Sequence, residues 1–145
     1  MSGNYSEVVI IVVQNSQKQF LVHQRSSKKK ISPSLWGLGA GGRIEPNEKP
    51  QAAAKRELME ELQIDAEPKF LFTFPFDYTP YGSGTNGHTH IFHVVYNGTP
   101  TSCDEFQWTG WMNKEEIDTL SKENKMCPDT KIAWEKLKQE FKQLL

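Results

Sequence analysis

Between Lys55 and Leu62 the sequence reads KRELMEEL, with Glu57, Glu60 and Glu61 standing at i, i+3 and i+4. On a helix that spacing gathers three carboxylates on one face, where each like-charged pair opposes the helix by roughly 0.2–0.5 kcal/mol. Hard oxygens crowded in this way suit Mg²⁺ or Mn²⁺, with waters and substrate phosphates completing the coordination. A cation so held neutralises diphosphate charge and polarises water for attack at phosphorus. For the acidic pattern alone, a solvated helix face balanced by Lys55 and Arg56 is the plainer reading.

The elements that must position these groups follow from periodicity and turn chemistry. EVVIIVVQ (Glu7–Gln14) is a β-branched run suited to a strand buried on both faces. FLVHQR (Phe20–Arg25) follows after a short polar turn and predicts a hairpin partner. LWGLGAGGRIEPNE (Leu35–Glu48) carries Gly37, Gly39, Gly41 and Gly42, and reads as a loop whose backbone approaches a ligand closely. A helix is expected from an N-cap near Asn47, with Pro50 in the first turn, to about Leu62, burying Ala54, Leu58 and Leu62. Strands are expected over Lys69–Phe76, at an edge because of Pro75, over His88–Gly98 and over Glu105–Met112. Between the first two lies a long loop, Asp77–Gly87. Asn113 should cap a helix to about Leu120, and a last helix should span Asp129–Leu144. Strands interleaved with helices, with no repeat and no linker, predict one mixed α/β domain over residues 1–145.

Gly42, five residues, Glu48, seven residues, Arg56-Glu57-Leu58, one residue, Glu60-Glu61, one residue, Gln63 and Ile64 closely resembles the box of the Nudix hydrolases. Every fixed position matches except Gln63, which stands where the family has glycine. With Gly42, Glu48 and Arg56 all in register with the acids, the solvated-face reading becomes the minor one. The resemblance implies a Nudix-type α/β/α sandwich with a mixed β-sheet. It also implies that Glu57 and Glu61 are the principal metal ligands and Glu60 a further one. Glu48 would help orient the site, and Arg56 would hold the acids by ion pairs. Glycine amides at Gly41 and Gly42 would lie close to substrate phosphates. Glu105, six residues before Trp111, resembles a later glutamate that supplies the general base in some members, with Asp104 beside it as a competing choice.

LVHQRS followed by LWGLGAGGRIE resembles the superfamily branch that includes isopentenyl-diphosphate isomerase, which makes Arg25 a diphosphate-contact candidate. That isomerisation needs a cysteine in the segment after the tryptophan, and LWGLGAGGRI has none. His88 and His90 share a strand face without a third ligand at a telling spacing, so surface or groove histidines are the simpler reading. Phe74, Phe76, Tyr78, Tyr81 and Trp108 suit core and rim packing as well as stacking on a base.

Composition narrows the classes further. A net charge of −1 gives no field for nucleic acid. VVIIVV is too short to cross a bilayer, and MSGNYSE lacks the layout of a secretory signal. Cys103 and Cys127 fit no metal spacing and suit a reducing, cytoplasmic setting. The expected activity is pyrophosphohydrolysis of a nucleoside diphosphate linked to another moiety, and the resemblance leaves open a homodimer, the state of many relatives. A non-catalytic ligand-binding domain, which would be expected to lose box acids, is the alternative from a different class.

Overall fold

The computed structural model describes residues 7–81, 86–101 and 103–145. Among them seven strands form one mixed sheet: β1 (Glu7–Gln14), β2 (Phe20–Arg25), β3 (Trp36–Leu38), β4 (Ala40–Arg43), β5 (Lys69–Phe76), β6 (Gly87–Val95) and β7 (Phe106–Met112). Their order is β3-β2-β1-β6-β5, with β4 also paired to β1 and β7 to β2. Among the described strands only β1 and β6 run parallel; the other pairings are antiparallel. The β5 strand, with Pro75, ends that order, as a residue without an N–H requires.

The β-branched run of β1 divides the core. Val9, Ile11 and Val13 face α1 (Pro50–Leu62), packing with Ala53, Ala54, Leu58 and Leu62. Ile10 and Val12 face the opposite side, where Ile117 of α2 (Lys114–Lys122) and Ala133, Trp134 and Leu137 of α3 (Pro128–Glu140) close the second core. A side-chain period of two sends successive residues to opposite faces, so one strand supports both helical layers. The result is an α/β/α sandwich.

Four expectations need correction. The glycine-rich segment is largely strand: β3 and β4 occupy it, joined at Gly39, whose φ of 54° leaves no room for a side chain against the Ile11 carbonyl. Lys49, not Asn47, is the N-cap of α1, because Pro50 takes the first helical position and Asn47 sits in a left-handed turn at φ 65°. The last helix stops at Glu140, and Lys142–Leu144 continue as a 3₁₀ turn beyond Phe141 at φ −129°. Ile132, expected on its apolar stripe, is exposed. The Asp77–Gly87 loop includes a 3₁₀ turn at Thr79–Tyr81, and positions 82–85 lie outside the described residues. Asn113 does cap α2, with Glu116 completing a reciprocal capping box.

Candidate active site

The α1 helix lies across β4, and its inner face turns the acids toward Gly41 and Gly42. Glu57 is buried, Glu61 half-buried and Glu60 exposed, so the three acids occupy a gradient from interior to rim. Gly42 is the position that admits Glu57: a Cβ there would meet the Glu57 carboxylate, lying 2.5 Å from its Cδ. The Gly41 N–H donates to Glu61 Oε1 at 2.8 Å. That amide therefore holds a carboxylate instead of standing open to a phosphate, although both glycines line the cleft.

Arg56 organises the outer acids. Its Nε and Nη2 grip Glu48 as a fork, each at 2.9 Å, and its Nη1 donates to Glu57 Oε1 at 2.9 Å and Glu60 Oε1 at 3.3 Å. Nη2 also reaches the Arg43 carbonyl at 3.0 Å, which fastens the helix to the end of β4. Glu48 in turn accepts from the Glu45 N–H. The Arg56 guanidinium, aided by that backbone bond, pulls the Glu48 carboxyl down to about 2. Planar bidentate geometry of this kind is specific to arginine.

Glu105, just ahead of β7, is brought to Glu61, with which it shares a hydrogen bond. Burial, helped by the nearby Glu57 and Glu105 charges, pushes Glu61 well above the usual carboxylate range. Lys29 donates to Glu105 Oε1 at 2.6 Å and holds that carboxyl low, so the shared proton resides on Glu61. Burial likewise raises Glu57, against the pull of Arg56. Lys29 was not legible as a site residue in the Lys28–Lys30 run; its alignment on Glu105 comes from the turn that begins at Ser26, whose N–H bonds the Glu105 carbonyl.

A cleft of about 160 Å³ is lined by Glu61 and Glu105, and Arg25 and His23 also line it. Arg25 is oriented by two bonds to the Ile31 carbonyl, from Nε at 3.2 Å and Nη2 at 2.9 Å. His23 is buried and stacked on Phe106 at 3.9 Å, with its Nδ1 at 2.7 Å from the Gly39 carbonyl; burial lowers it to about 4, so the ring is neutral and Nδ1–H donates. Cys127 lines the cleft as well, and burial pushes its thiol up to about 12. His88 and His90 lie apart from this cleft, each bonded at 2.9 Å to one oxygen of Glu7. Trp108 is exposed and pairs edge-on with Trp36.

Glu57, buried, and Glu61, half-buried, stand one helical turn apart with both carboxyls raised by burial, so a divalent cation binding them would compete with protons. Among the described residues, no group of three or more acidic, histidine or cysteine side chains is arranged to hold a metal ion. Glu57 and Glu61 nonetheless fit a hard cation by donor type, as carboxylate oxygens one helical turn apart.

The NUDIX domain model matches residues 4–133, and the chain belongs to the Nudix hydrolase family, whose members act on phosphoric anhydride bonds. It is 28% identical over 138 residues to isopentenyl-diphosphate Delta-isomerase 2 of Aromatoleum aromaticum, covering 91% of this chain and 69% of that protein. It is also 28% identical over 122 residues to the nucleoside triphosphatase NudI of an Enterobacter species, covering 78% and 85%. In three dimensions it is similar to the MutT protein from Methanosarcina mazei, with a TM-score of 0.80 over 98% of this chain and 99% of that one. At 20% identity this is a likeness of fold. No described helix is long and apolar enough to cross a membrane.

Proposed function

We propose that this chain is a divalent-cation-dependent pyrophosphohydrolase that cleaves a nucleoside diphosphate linked to another moiety. The observation that carries the reading is the meeting of Glu61 and Glu105 in one cleft whose wall includes Gly42, the residue against which Glu57 packs, with Arg56 holding Glu48, Glu57 and Glu60 beside it. Glu57 and Glu61, with Glu60 at the rim, would hold Mg²⁺ or Mn²⁺. When bound, the ion supplies charge neutralisation of the diphosphate and acidification of water. Arg56 fixes the carboxylate orientations. Arg25, its guanidinium oriented by the Ile31 carbonyl, faces the anionic substrate. Glu105, kept ionised by Lys29, takes the proton of the attacking water at its carboxylate. A cytoplasmic location accompanies the reading, supported by a cysteine content too small for a disulfide framework.

Isomerisation of an isoprenoid diphosphate is the less favoured activity. The glycine-rich segment lacks the cysteine, and the cleft thiol that is present, Cys127, stays protonated. A phosphate-release screen over nucleoside triphosphates, nucleotide sugars, dinucleotides and isopentenyl diphosphate, with and without Mg²⁺, tests the proposal. Glu61→Gln is expected to abolish turnover with the fold intact, and a fully active variant sinks the metal-site reading.

A further inference from the structure

In β7, Trp111 packs against the α1-side core, so strict alternation would send Thr109 and Gln107 to that side and Phe106 to the other. The ladder with β2 breaks this pattern: Gln24 pairs with Trp108 and Arg25 with Phe106, which leaves Gln107 as an extra residue. Two backbone donors of the facing turn pin the bulge. The Ser27 N–H donates to Gln107 Oε1 at 2.9 Å, and the Ser26 N–H to the Glu105 carbonyl at 2.9 Å. Phe106 is thereby turned into the α1-side core, where its ring lies 3.9 Å from that of His23 at an angle of 11°. His23 is fixed in turn. Its Nδ1–H donates to the Gly39 carbonyl, and its other edge fits under Gly37, where a Cβ would stand 2.5 Å from Nε2. Two residues beyond Gly39, the Gly41 N–H holds Glu61. One ring therefore joins the segment that anchors Glu61 to the segment that carries Glu105.

Resting on the reading of Glu105 as the general base, we propose that His23 is a positioning residue of the hydrolase. Its ring, keyed to the Gly39 carbonyl, is the plate on which Phe106 stacks, and together with the bulge at Gln107 it sets the Glu105 carboxylate at Glu61. Burying an imidazole is unfavourable beside burying a hydrocarbon of similar size. A phenyl ring at position 23 would also stack on Phe106, but only a donor there fixes the plane of the ring against the β3–β4 junction. Glu105 adjoins Phe106 in the chain, so a tilt of the stacked pair is passed directly to its carboxylate. Lys29 does not set that place: its ammonium rides on a flexible stem and follows the carboxylate it binds. A residue that acts through the base changes kcat, whereas one that held the bound substrate would change KM.

The test is a double-mutant cycle in kcat, run with Mg²⁺ and the nucleotide that the phosphate-release screen shows to be turned over fastest. His23→Phe keeps the stack and loses the key. It is expected to lower kcat by about ten- to a hundredfold with KM within about threefold of wild type, the scale of a base misplaced by about 1 Å. Glu105→Gln should lower kcat by about a hundredfold or more. Adding His23→Phe to Glu105→Gln should then cost less than about twofold further, because the group being positioned is already gone. Phe106→Leu, which removes the stack from the other side, should follow the same pattern, and it decides if circular dichroism shows His23→Phe unfolded. Equal losses in the wild-type and Glu105→Gln backgrounds mark a merely structural role and overturn the proposal, as does a wild-type kcat in His23→Phe or a change confined to KM. Those results, beside an impaired Glu105→Gln, defeat this proposal alone. A Glu105→Gln enzyme as fast as wild type, or no cleavage of any phosphoanhydride, defeats the catalytic reading and this proposal with it.

Discussion

Gly41 and Gly42 are neighbours in one strand, yet alanine at each should fail for different reasons. At position 42 the added Cβ would stand 2.5 Å from Glu57 Cδ, whereas ordinary contact begins near 3.4 Å. The carboxylate must therefore retreat by about 1 Å. Glu57 is the far end of a side chain, so the retreat strains no backbone, but it breaks the 2.9 Å bond from Arg56 Nη1 and moves a proposed metal ligand. Misplacement by about 1 Å costs on the order of a hundredfold in rate. At position 41 the new Cβ would stand 2.8 Å from the Val9 carbonyl, a backbone atom of the β1–β4 ladder that cannot swing aside. Gly42→Ala should consequently lower kcat about a hundredfold and raise the Mg²⁺ concentration for half-activity, with a melting temperature within a few degrees of wild type. Gly41→Ala should instead lower the melting temperature clearly. Mg²⁺ titrations of activity beside thermal melts separate the two. A Gly42→Ala enzyme with wild-type kcat and metal requirement would refute the packing argument.

Gln63→Gly should raise the melting temperature by about 3 °C. Gln63 sits at φ 56° where a side chain costs roughly 1 kcal/mol, and a melt that falls would show the strain is absent. Arg56→Lys keeps the charge but loses the fork onto Glu48, so kcat/KM should drop at least tenfold with an unchanged circular dichroism spectrum, and full activity would count against the clamp. His23 falls from its ordinary 6.5 to about 4 on folding, so the unfolded chain binds its proton first. Its effect is therefore absent above about pH 6.5 and destabilises by up to roughly 3 kcal/mol as pH falls toward 4. Urea denaturation of His23→Phe should show a shallower stability loss than wild type across that window, and parallel curves would disprove the assignment.

What the sequence determined by itself was the part of the protein written in local pattern. The alternation in β1, the edge proline of β5, the Asn113 cap and the carboxylate spacing on α1 all act within a few residues. Each therefore announces itself through a period or a turn residue. The register of Gly42, Glu48 and Arg56 with the acids also implied a cluster, and the Arg56 fork closes over eight residues. The tertiary structure alone decided how unequal the acids are: spacing put three on one face, but the packing of β4 against α1 buries Glu57 and leaves Glu60 at the rim. It also turned a presumed glycine loop into strands, because the antiparallel pairing of Gly41 with Ile10 and Gly42 with Val9 joins segments about thirty residues apart. The meeting of Lys29, Glu61 and Glu105, and of Tyr78 with Asp129, depends on contacts across 76 and 51 positions. No local period records contacts at that range, since they exist only once the sheet has brought distant strand ends to one edge of the cleft.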